Sequence, residues 1–214
     1  PMKLVDVVAT AAKENRLNIW MANPEEEAMM VKLGVAGETS GSETDPVTGV
    51  YVGAPYGTKS GWYLDVETSV GEGKKNADGS MSYEVTLTLT NTLSEDVALS
   101  LPYYITGNDP LKVNDSDMPL DIFLYAPAGG SISNMQTDGQ LYDSAAMDAA
   151  KGPFHGRIGD EAIIKASYNG AEVWYGTTCI TGTSSTRITY TVTTSPKATA
   201  GLELDVTPLA NENI

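Results

Sequence analysis

Over residues 82–90 the chain alternates almost without fault, Tyr83, Val85, Leu87 and Leu89 set against Glu84, Thr86, Thr88 and Thr90. A period of two puts the first set on one face of a strand and the second on the other, and a one-residue slip would exchange the faces. The expectation is a strand with Tyr83, Val85, Leu87 and Leu89 inward. The same period appears before it at Trp62, Leu64, Val66 and Val70, and after it at Val97, Leu99 and Leu101, read as its partner. An apolar run, DIFLYAP, and segments around 162–168, 172–178, 187–194 and 202–206 extend the pattern. Turn signals divide them: NADGS, PAGG, TDGQ, YNGAE and TSPKATAG, with Asn169-Gly170 the strongest hairpin signal. The pattern predicts a mainly β chain, an antiparallel β-sandwich of Ig-like or jelly-roll-like kind. A threonine row can also order water on an ice-binding surface, but one strand is too narrow, and a solvated sheet face is the better reading.

The first residues read differently. Leu4, Val8, Ala11 and Ala12 recur at helical spacing, RLNIWMA switches to period two, and NPEEEAMMVKLG carries a full set of helix signals. Asn23 can cap, Pro24 suits the first helical position, Glu26 completes a capping box and Gly34 supplies the stop. The three consecutive glutamates point in different directions on a helix, so they read as a solvated first turn rather than a metal cluster. The expected organisation is a small N-terminal α-β-α segment over 1–37 packed on the main domain, a Gly/Ser/Thr/Asp-rich linker over 38–49, and the sandwich over 50–214.

Composition narrows the functional classes. Of 214 residues 41% are apolar, enough for a real core, while 28 acids against 13 bases leave a net charge of −15. Such a surface repels phosphate backbones and anionic headgroups, which argues against nucleic-acid and peripheral-membrane roles. One cysteine excludes an internal disulfide, and one histidine excludes the two-histidine zinc motifs. No cofactor is expected. No apolar run approaches the roughly 18 residues that a membrane-spanning helix needs. Pro1 is not a translation start, so an upstream segment bearing an anchor or signal is expected.

Three constellations could carry chemistry. A histidine, a strand-end cysteine after a threonine, and a downstream arginine resemble the sortase transpeptidases. Here Cys179 would attack an acyl carbon, His155 would manage protons and Arg187 would steady the oxyanion. The alternative is a buried structural thiol, and it is preferred because free cysteine is among the most buried residue types. His155 would also have to serve any serine triad, and no G-x-S-x-G elbow occurs. Asp109, Asp115, Asp117 and Asp121 are dense enough in hard oxygens to suggest calcium, yet Pro119 breaks an EF-hand register, and turn formation explains them better. Tyr56, Trp62, Tyr63, Tyr103 and Tyr104 could stack on sugars, or be consumed by the core.

Read in order, the segments RLNIWMANPEEEAMM, GVAGE, VYVGAPYGTKSGWYL, VTLTLTNT, LPYYITG, IFLYAPAGG with DGQ, TYTVTT and LELDVTP resemble the C-terminal part of bacterial envelope proteins carrying the domain of unknown function 4012. The resemblance implies a membrane-anchored, extracellular protein of high-GC Gram-positive bacteria, and it brings no catalytic residues. The leading expectation is a non-catalytic extracellular β-sandwich module of a cell-envelope protein. Its partners would be cell-wall polysaccharide or an upstream domain of the same protein. The alternatives are a carbohydrate-binding module, with or without calcium, and the Cys-His-Arg transpeptidase.

Overall fold

A computed structural model describes residues 2–13, 16–37, 41–55, 57–109, 111–139, 141–142, 163–168 and 170–208. The chain divides into two compact units, 1–40 and 41–214.

The first unit holds helices α1 (Met2–Lys13) and α2 (Pro24–Lys32). The side chain of Asn23 accepts from Glu25 N at 2.9 Å, and Pro24 opens the helix as expected. The glutamate that reaches back is Glu27 rather than Glu26, its Oε2 accepting from Met21 N at 2.6 Å. Gly34, at φ +70°, ends α2 with Gly34 N bonded to Val31 O and Val35 N to Met30 O. That is the paired carbonyl capture of a Schellman motif. The strand expected over 16–22 does not form. Its period-two pattern meets no neighbouring strand, and Ile19 N bonds instead to Val35 O at the end of α2. The segment is helix, extended connection, helix.

The second unit is mainly β, in two sheets rich in antiparallel pairing. One sheet runs β11 (Glu203–Val206), β1 (Val47–Gly53), β5 (Met118–Tyr125), β9 (Ala171–Ile180) and β7 (Leu141–Tyr142), with β8 (Ile163–Tyr168) also on β9. Only β1–β11 is parallel among these pairs. The other runs β2 (Leu64–Val70), β4 (Met81–Asn91), β10 (Ser185–Thr193) and β6 (Ser131–Thr137), with β3 (Lys74–Lys75) on β4. Residues of both sheets share one buried cluster: Leu87 and Leu89 of β4 and Ile188 of β10 belong to it together with Val50 of β1 and Ile122 and Leu124 of β5. Val85, Leu87 and Leu89 are fully buried, Tyr83 is half-buried, and Thr86, Thr88 and Thr90 stay partly open on the other face, as the alternation requires. Register Tyr168↔Ala171 leaves two residues for the β8–β9 hairpin, with Gly170 at φ +81°.

Two expectations fail here. Residues 97–101 are no strand: Ser94 accepts from Val97 N and starts the one-turn helix α3 (Glu95–Ala98), leaving Val97 and Leu99 exposed. A cap followed by two acids outweighs a three-residue alternation. The linker is also shorter than expected, since β1 starts at Val47 and Thr44 O already accepts from Thr199 N and Ala200 N. Among the described residues no helix is long and apolar enough to cross a membrane.

Candidate functional site

Strand registers bring three connections to one end of the second unit. Leu64 opens β2 opposite Asn91, the last residue of β4; Met118 opens β5 opposite Ile180, the last of β9; and Ser185 opens β10 opposite Thr90. The connections 54–63, 92–117 and 181–184 therefore share this end. The first holds a 3-10 turn (Ser60–Tyr63), the second holds α3 and a further turn of helix, α4 (Tyr103–Thr106).

These connections are fixed from beneath. Asn91 is fully buried; its Nδ2 donates to Ser116 O at 2.8 Å and Ile180 O at 3.0 Å, and its Oδ1 accepts from Leu93 N at 3.0 Å. Glu95 takes Ser116 N at 2.9 Å and Asp115 N at 3.3 Å, and the hydrogen bonds from Ser116 hold its carboxyl below the ordinary value. Lys112 Nζ is turned onto Thr106 O at 2.9 Å and Asp115 O at 2.7 Å. Lys59 N donates to Ile105 O at 3.0 Å, joining the first two connections. Where they meet, Gly107 sits at φ +67°, and a side chain there would run into Thr58 Cγ2. Gly182 is required for space: a Cβ there would stand 2.7 Å from Leu93 O.

On this base the apolar side chains face outward. The exposed large hydrophobic residues of the second unit, among the described residues, are Trp62, Val97, Leu99, Tyr103, Tyr104 and Val113, and all lie on two connections at this one end. Trp62 is 60% exposed, Tyr103 70% and Tyr104 63%, far beyond what a core aromatic shows. Tyr63 is different, half-buried against the core with its carbonyl taking Thr92 N. Tyr56 lies outside the described residues. Other described aromatic side chains of the second unit are tied into the sheets: Trp174 Nε1 donates to Glu172, Phe123 stacks on Tyr175 at 4.8 Å, and Tyr51 donates to Asp205.

The four aspartates do not assemble a metal centre; among the described residues no three His, Cys, Asp or Glu come together as ligands. Three of them accept hydrogen bonds and the fourth is exposed. Asp109 accepts from Leu111 N, Asp117 Oδ2 from Val113 N and Asn114 N, Asp121 Oδ1 from Tyr175 and Thr177, and Asp115 is exposed. Asp109 and Asp117 thus accept backbone N–H bonds within local turns, as Asp side chains commonly do. Asp109 is 2% exposed, its Oδ2 has no partner, and burial raises its pKa. An acid raised in the folded state contributes stability below its unfolded value of 3.8, and loses it as pH climbs through the folded value. Asp109→Asn is therefore expected to melt higher than the native protein at pH 7, with the gain disappearing toward pH 4. Thermal unfolding at the two pH values checks this; a loss at pH 7 would contradict it.

Cys179 and Arg187 do not form a pair. Cys179 lies opposite Pro119, alternating with the core residue Ile180, and so faces away from the core on one sheet. Arg187 is exposed between buried Thr186 and Ile188 and faces away from it on the other. Burial, then Asp117 and Asp109, push the Cys179 thiol up to about 12, opposite to what a nucleophile needs. His155 lies outside the described residues. Fold and surface define a two-sheet β protein with one apolar, aromatic loop end. Comparison with family models, curated proteins and solved structures finds no match.

Proposed function

We propose that the chain is a non-catalytic β-sandwich module of a Gram-positive cell-envelope protein, acting outside the cell and binding a wall component through its loop end. Two mostly antiparallel sheets sharing a core support a sandwich of Ig-like or jelly-roll-like kind. The order of the segments resembling the domain of unknown function 4012 supports the compartment. One observation carries the binding role: the exposed large apolar side chains of the described second unit gather at one end. Loops at the end of a rigid two-sheet frame are where binding residues concentrate, and an apolar patch kept in water by a fixed backbone calls for a partner.

Sedimentation with purified Gram-positive cell walls tests the reading. The native protein is expected in the pellet, and the triple variant Trp62→Ala, Tyr103→Ala, Tyr104→Ala in the supernatant. Native protein left in the supernatant, or an unaffected variant, would count against it. The non-catalytic part makes its own prediction. A thiol reagent at neutral pH should label native Cys179 far more slowly than it labels the unfolded chain, at a rate indifferent to His155→Ala. Fast labelling that collapses in that variant would restore the transpeptidase.

A further inference from the structure

We infer that the loop end takes a neutral polysaccharide, its sugar rings lying on Trp62 and on the Tyr103–Tyr104 turn. This rests on the binding role proposed above and names the class of ligand. Sugar rings offer an apolar C–H face and a rim of hydroxyls, so a site for them pairs flat exposed rings with polar acceptors. Both are present. Trp62 is carried by the 3-10 turn, Tyr103 and Tyr104 by α4, and the Lys59 N–Ile105 O bond holds the two carriers side by side. On the connection that carries the two tyrosines, Asp96, Asn108, Asn114 and Asp115 stand exposed as acceptors for hydroxyls.

Charge selects among ligands. A chain at −15 repels phosphate- or uronate-bearing polymers; of the two lysines on these connections Lys112 is held on two backbone carbonyls, which leaves exposed Lys59 as one cation against exposed Asp96 and Asp115. A protein partner fits less well, because the centre of a protein interface is depleted of aspartate, whereas here Asp96 and Asp115 stand on the same connection as the apolar side chains. The backbone under the rings is already fixed through Asn91, Glu95 and Gly107, so little ordering opposes binding.

The test is depletion of the full chain onto insoluble neutral polysaccharides (cellulose, a β-1,3-glucan and a mannan) beside alginate and polygalacturonate gels. Retention is expected on at least one neutral matrix. It should persist at about 1 M salt, where charges are screened within about 3 Å. It should weaken tenfold or more in Trp62→Ala and in Tyr103→Ala/Tyr104→Ala, with circular dichroism unchanged. No neutral retention, retention on the anionic gels alone, or neutral retention indifferent to both variants would overturn the inference. Cell-wall sedimentation separates the two levels. Walls bound through the loop end without any neutral retention reject the ligand class and keep the module, whereas walls not bound at all reject the module itself.

Discussion

Asn91→Leu is expected to destabilise the second unit by about 3–5 kcal/mol, lowering its melting temperature by roughly 10 °C or more. The site is fully buried and the leucine neither donates nor accepts. Ser116 O and Ile180 O lose their donor and Leu93 N loses its acceptor, in a place water does not reach. Each buried polar group left unmatched costs about 1–3 kcal/mol, and the near-isosteric shape offsets only part of that. Asn91→Asp sharpens the test. Its carboxylate keeps the bond from Leu93 but sets negative charge against two carbonyl oxygens, so its folded pKa must rise. It should be at least as damaging as leucine at pH 7 and partly recover in acid, where the protonated group donates again. An effect under about 1 kcal/mol for the leucine variant would show that Asn91 does not tie the loop end to the sheets.

Leu87→Ala should cost a comparable amount, about 2–5 kcal/mol, while Thr88→Ala one position along should stay within about 0.5 kcal/mol. Leu87 is fully buried on β4, paired with Thr68 of β2 and Ile188 of β10, so the shared cluster cannot close over the lost methyls without moving a central strand. Thr88 faces the other way, partly open between Glu67 and Arg187. Chemical denaturation measures both. Equal losses at the two positions would mean that β4 does not bury one face against the core.

That contrast is also where the sequence was most legible. Period two along 82–90 reports a strand with one buried face because side-chain direction is set locally, and the two-residue hairpin at 169–170 is local as well. Two of the misreadings came from features that are not local. Val47–Gly53 is strand only because β5 and β11, far along the chain, pair with it; alone, TDPVTG reads as loop. The 16–22 segment alternates but finds no strand beside it. At 97–101 the sequence did hold the deciding signal, the Ser94 cap with two acids, and a short alternation obscured it.

The site divides in the same way. That Cys179 sits on a strand was readable from its neighbours; that it faces away from the core there, opposite Pro119, was not. Trp62, Tyr103 and Tyr104 were readable as candidates, but nothing in composition separated them from Tyr63 or Trp174; only burial did. Asn91 left no sequence signal at all. A single asparagine ending an apolar strand resembles any turn residue until Ser116 and Ile180 are seen around it.

Hydrogen exchange of the chain alone and bound to solubilised Gram-positive wall fragments tests the central claim most directly. The account predicts slowed exchange over 57–63 and 92–117 and unchanged exchange at the opposite end, in the turns 76–80 and 195–201. Protection centred on those turns or on a sheet edge, with the loop end unaffected, would contradict it.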